Sequence, residues 1–200
     1  TGGLSFTKVG ATDLGYRIAR QFSLKIIETR PSLVPLIFAG EGFRELAGVS
    51  VDSLVTANGA SFRENILFTH RGLSGPAILQ ASNYWDPAEP LHIDLLPDRN
   101  TYELIETNRT NKKRADNFFS ELLPAKIAER LLNPKGTAKP LAHMNEREIG
   151  SAAAMLDDWT VRFRDTEGYD KAEVTLGGVS TDELSSKTME ARQVPGLYFI

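Results

Sequence analysis

The stretch Gly48–His70, GVSVDSLVTANGASFRENILFTH, decides how the rest of the chain is read. Apolar residues run up to and away from Asn58-Gly59, which predicts two antiparallel strands joined by a two-residue turn of the I′ kind. Strand patterning continues outward on both sides. Upstream, SLVPLIF (32–38) reads as a short apolar strand. Downstream, THRGLSGPAILQASNYW (69–85) predicts a helix capped by Ser74, with Gly75 and Pro76 in its first turn. LHIDLLP (91–97) alternates like a strand and is closed by Pro97.

From residue 100 the period changes to a helical one. Asn100 with Glu103, and Asn145 with Glu148, each set a capping side chain three residues ahead of a carboxylate, a variant of the capping box. Phe118, Phe119, Leu122, Leu123, Ile127 and Leu131 supply the apolar faces of two short helices, the second starting at Pro124. Strands return with WTVRF (159–163) and KAEVTL (171–176). At the front, residues 12–23 predict an amphipathic helix with Thr12 as its cap. The fold expected is α+β: a β unit from 37–97 and 158–176 with a helical subdomain, 98–157, inserted between its strands.

Composition narrows the function. Two hundred residues, 41% apolar and 24% charged, describe a globular chain with one sizeable core, or one core plus a subdomain. With no cysteine there is no disulfide framework and no redox dithiol, so any redox chemistry must belong to a bound cofactor. His70, His92 and His143 lack metal-ligand spacing, and no metal site is expected. A formal charge of −3 with dispersed basic residues gives no basic stripe, so nucleic acid is not expected as a partner. No apolar run is long enough to span a bilayer, and no membrane association is expected.

Motif by motif, familiar catalysts fall away. GEGFRE (40–45) lacks the third glycine of a dinucleotide fingerprint, and there is no P-loop. Ser74, His70 and Asp94 could be assembled into a triad, but GLSGP is not a nucleophile elbow, and Ser74 reads as a helix cap. Three glycine-bearing stretches remain, TGGLSFTKVG, FTHRGLSGPA and VTLGGVSTDE. By residue chemistry alone they are tight turns or the walls of a cleft.

The stretches TGGLSFTKVGATDLGYRIA, LVPL, LFTHRGLSGPAILQAS and AEVTLGGVSTDELSSKTMEARQVPGLYFI, in this order and spacing, resemble NAD(P)/FAD-dependent oxidoreductases of the BaiN/RdsA type. The resemblance covers most of the chain. It implies an FAD-binding α/β domain represented by 1–36 and 177–200, interrupted by a β-barrel-like insert with its helical subdomain. It also implies that both ends of the sequence are cut, since no Met opens the chain and the apolar run Leu197–Ile200 closes it. By the same resemblance Thr1, Gly2, Gly3, Gly177, Gly178 and Val179 lie beside FAD. His70, Arg71, Gly72 and Ser74 then form a substrate-side loop. NAD(P)H is the implied co-substrate, a small molecule the implied substrate, and the cytoplasm the implied location. His70 is the proton donor considered, because its ordinary pKa lies near neutrality. The chain alone is expected to be inactive and to hold no FAD. The rival reading is a non-catalytic binding or interaction module.

Overall fold

A computed structural model describes residues 2–40 and 42–200. The chain divides into two compact units. The first comprises the described part of Thr1–Val34 together with Thr166–Ile200, and the second is Pro35–Asp165. The sequence reading placed these boundaries at 36/37 and 176/177 instead.

The chain enters the first unit with helix α1 (Leu14–Gln21) and strand β1 (Ile26–Ser32). In the second unit follow β2 (Leu36–Phe38), β3 (Ser50–Ala57), β4 (Ala60–Phe68), β5 (Gly72–Ser74), helix α2 (Pro76–Ala81) and β6 (Leu91–Asp94). The helical block is α3 (Thr101–Thr107), α4 (Ala115–Phe119), α5 (Ala125–Leu132) and α6 (Glu146–Asp157), followed by β7 (Trp159–Val161) and β8 (Phe163–Thr166). The chain returns to the first unit with β9 (Val174–Val179), which pairs antiparallel with β1.

The hairpin forms as its turn chemistry dictates. Ala57 faces Ala60, and Asn58 and Gly59 between them take φ of 46° and 80°. β3 alternates strictly, burying Val51, Ser53, Val55 and Ala57. The second unit's sheet has seven strands in the order β7-β6-β3-β4-β5-β2-β8 and does not close into a barrel. The expected barrel is corrected to an open sheet. Its two edge strands are nonetheless consecutive in the chain, separated by Arg162 alone, so the sheet curls until its edges are neighbours. Inside, the Phe43 ring meets Trp159 edge-on at 5.1 Å, and Phe68 stacks on Trp159 at 5.9 Å. The helices share this core through Ile105, Phe119, Ile127 and Leu156.

Three local expectations change. Ser74 pairs with Leu67 inside β5, so the residue preceding α2 is Gly75, which makes no side-chain cap bond. SLVPLIF is not one strand: Leu33 turns to φ 47°, and the strands on either side belong to different sheets. The first unit holds an antiparallel pair and a helix where α/β remnants were expected, and Leu197–Ile200 folds back against Met189–Ala191 instead of forming a strand.

Candidate functional site

The glycines at the two ends of the sequence come together in the first unit. Leu4 and Ser5 donate their backbone N–H groups to Thr175 Oγ1 at 2.7 and 3.1 Å, and the Ser5 hydroxyl lies 3.0 Å from the same oxygen. A Cβ on Gly3 would stand 2.4 Å from Thr175 Oγ1, so any side chain there would displace the threonine. Gly177 is the single β9 residue opposite Glu28 and Thr29, where the ladder shifts register between Ile27 and Arg30. Its φ is 83°, and a Cβ would fall 2.1 Å from the Glu28 carbonyl oxygen. Glycine is dictated here by the bulge itself. Gly178 lies against the Tyr16 ring, and Val179 packs on the small core of Ala19, Leu24, Leu184 and Ala191. Thr1 lies outside the described residues.

These elements border a hollow of about 400 Å³ lined by Gly3, Ser5, Tyr16, Glu173, Thr175 and Gly177. Burial, then the neighbouring Tyr169, pushes the Tyr16 hydroxyl above its ordinary pKa, so it stays a neutral hydrogen-bonding group. Among the described residues, Glu173 is the only charged one lining the hollow. A dinucleotide pyrophosphate is held by free backbone amides at a glycine turn and a helix N-terminus. Here the Leu4 and Ser5 amides are taken by Thr175, and the cap of α1 is Asp13, whose carboxylate, paired with Arg17, offers phosphate no attraction. The described residues therefore do not by themselves fit FAD.

The proposed substrate-side loop is a tight turn in the second unit. Thr69 Oγ1 accepts from the N–H groups of Arg71 (3.2 Å) and Gly72 (3.0 Å), and the Thr69 N–H donates to the Gly72 carbonyl (2.9 Å). His70 and Arg71 are exposed at the tip, Gly72 is buried in β5 against Ile37, and Ser74 is half-buried. The two groups of candidate residues thus lie in different units. His70 is exposed, while Asp94 sits on β6 and Ser74 on β5, and no hydrogen bond links the three as a triad.

Sequence reasoning missed a second concentration of chemistry, in the helical block. Residues 108–147 carry nine Lys and Arg against four Asp and Glu, a local +5 in a chain of −3. The signal was present in NRTNKKR (108–114), but averaging over the whole chain conceals it. Its anchor is Asp116, which is buried, is paired with the Arg114 guanidinium, and accepts from Asn133 Nδ2 at 3.0 Å. That pairing holds the Asp116 carboxyl below the usual carboxylate range. Among the described residues no three His, Cys, Asp or Glu side chains gather at a common metal position, and no helix is long and apolar enough to cross a membrane.

An open curled sheet with a helical block inserted before its last two strands defines the class. Residues 30–174 match the HI0933-like protein barrel and H2TH domain family, and the chain belongs to it. It is 49% identical over its whole length to the ribosomal RNA dihydrouridine synthase of Escherichia coli strain K12, and 42% identical to the protein so named from Haemophilus influenzae. Across 98% of its length it is 25% identical to a 3-dehydro-bile acid delta(4,6)-reductase of Clostridium scindens. The chain spans about half the length of these relatives, 51–53%. Two relatives named for ribosomal RNA overturn the exclusion of nucleic acid as a partner. That exclusion rested on net charge, whereas RNA recognition relies on local cations, shape and stacking as much as on a continuous basic stripe.

Proposed function

We propose that this chain is the barrel-and-helix part, with adjoining segments, of a cytoplasmic flavoprotein that reduces uridine in ribosomal RNA. The observation that carries this reading is the 49% and 42% identity to proteins named for that reaction, against 25% to a bile acid reductase. Forming dihydrouridine saturates one carbon–carbon double bond of the uracil ring, which takes a hydride and a proton. A flavin bound by the whole protein would supply the reducing equivalents, with NADH or NADPH as their source. The proton needs a donor, and exposed His70 on its tight turn is the candidate among the described residues of this chain. Arg71, Gly72 and Ser74 are assigned to the substrate side, and Gly3, Gly177, Gly178 and Val179 to the flavin side of the whole protein, whose remainder would have to supply the groups that hold the pyrophosphate. The chain by itself is inactive and retains no flavin. A purified chain that stays yellow after dialysis would overturn that last statement.

The deciding experiment supplies the whole protein with FAD, reduced nicotinamide and unmodified ribosomal RNA transcript, and measures dihydrouridine by mass spectrometry of the digested nucleosides. Product is expected in the RNA. Reduction of an unsaturated 3-oxo steroid with none of the RNA would replace this reading by that of a small-molecule reductase.

A further inference from the structure

Part of the basic excess of the helical block borders a groove. Residues Asn111–Ala115 run beside Lys139–Ala142: the Ala115 N–H donates to the Lys139 carbonyl (3.0 Å), that of Leu141 to the Lys113 carbonyl (3.1 Å), and that of Ala142 to the Asn111 carbonyl (3.1 Å). This ladder brings the Lys112–Arg114 run alongside Lys139. Next to it opens a groove of about 520 Å³, within the range of ligand pockets. Leu132, Met144 and Met155 supply apolar walls, and Lys139, Arg147, Glu148 and Ser151 stand at its polar side. Lys112 and Arg147 are exposed and make no ion pair among the described residues. Lys113 and Lys139 are paired with Glu121 and Glu148 at the surface, where such pairs contribute little and exchange readily for another anion.

Resting on the reading of an RNA-directed reductase, we propose that this groove holds single-stranded RNA beside the residue to be reduced: one nucleobase enters between the two thioethers, and the flanking phosphates lie on Lys112, Lys139 and Arg147. Thioethers pack well against aromatic faces, which suits Met144 and Met155 to a base. Charge decides the occupant. The groove itself carries Lys139 and Arg147 against Glu148, and the Lys112–Arg114 run lies alongside, a balance that favours a polyanion; single-strand sites combine such cations with a surface on which a base can stack.

The test uses the whole protein and two probes, unmodified ribosomal RNA transcript and an oligouridylate of about ten nucleotides. Lys139→Ala with Arg147→Ala is expected to weaken binding of both probes about tenfold near physiological salt, and to lower the slope of log affinity against log salt by roughly one to two. KM for the transcript should rise while kcat at saturating RNA holds. Both residues are exposed, so the fold should survive. Ser151→Trp, which fills the groove without changing charge, should weaken binding while leaving the salt slope intact. If dihydrouridine forms normally and neither variant shifts affinity or KM, the groove proposal is overturned while the reductase reading stands. If the whole protein makes no dihydrouridine, the reductase reading fails. The groove is then judged by binding alone, and an affinity for oligouridylate unaffected by both variants, or absent altogether, overturns it.

Discussion

The two units bury apolar surface to very different extents. In Pro35–Asp165 a continuous core runs from the aromatic cluster of Phe38, Phe43, Phe68 and Trp159 into the helices through Ile105, Phe119 and Ile127. In the flanking segments the packed cluster is Ala19, Leu24, Leu184 and Ala191, while Phe6, Phe22, Ile27, Val174 and Leu176 remain exposed. The difference teaches where each unit's order comes from. The inserted unit rests on side-chain packing, whereas the flanking unit leans on backbone geometry and single polar contacts, such as the β1–β9 bulge and Thr175 with Leu4 and Ser5.

The largest effect should therefore follow a cut into the inserted core. Phe68 is 1% exposed and lies against Phe43 and Trp159, so Phe68→Ala should cost about 3–5 kcal/mol in chemical denaturation. Leu184→Ala, in the small cluster, should cost nearer 2 kcal/mol, the low end for such truncations. Equal costs would break the comparison.

Backbone geometry is tested at the glycines of β9. Gly177→Val pushes a branched side chain into the Glu28 carbonyl, and should cost roughly 2–3 kcal/mol, read as faster amide exchange along β1. Gly178→Val meets only the Tyr16 ring at 3.6 Å, so its cost should be smaller and come from its φ of 128° alone. If Gly178 proves the more sensitive in stability, the bulge is not what fixes this strand.

Within the helical block the comparison sharpens at Asp116. Asp116→Asn keeps the shape and removes the charge that Arg114 and Asn133 read, at a cost of about 1–2 kcal/mol near neutral pH. The folded-state pKa is depressed, so the contribution is present above the unfolded carboxylate value and is lost as pH falls through the folded one. Wild type and variant should thus converge in acid, below the usual carboxylate range. A gap that persists there would assign the loss to packing.

What was legible in the sequence follows the range of the interaction responsible. The Asn58-Gly59 turn and the Asn145–Glu148 cap are fixed by neighbours within a few residues, and both form as read. The β1–β9 pairing joins residues about 150 positions apart, so nothing local could show that KAEVTL leaves the insert's sheet. Ser74 failed as a cap because its strand pairing with Leu67 outweighed a local preference. The RNA side was missed because one net charge was summed over a chain in which the +5 of residues 108–147 is outweighed by the −8 of the remaining residues. Of the candidate site, the meeting of Gly3 with Thr175 and Gly177 was legible through the family resemblance, and by no local pattern.

The smallest expected effect sets one helix start in each unit against the other. At α6 the Asn145 side chain accepts from the Glu148 N–H at 3.0 Å, and the Glu148 carboxylate accepts from the Asn145 N–H at 2.9 Å, so two orphan donors of the first turn are satisfied reciprocally. At α1 the cap residue Asp13 makes no side-chain cap bond, and its carboxylate turns to Arg17 at 3.2 Å on the surface. Asn145→Ala should accordingly cost about 1 kcal/mol and speed amide exchange at Glu148 and Ile149. Asp13→Ala should cost only a few tenths, the worth of an exposed i,i+4 pair. The contrast follows from sequence: a carboxylate three residues after the cap closes the box in α6, whereas Tyr16 occupies that place in α1. Writing the missing partner in, as Tyr16→Glu, would therefore leave α1 no better held, because the Tyr16 ring packs beside Gly178 and its loss offsets the new cap. A net gain in α1 protection from that variant would show that capping, and not the aromatic contact, limits the order of this unit.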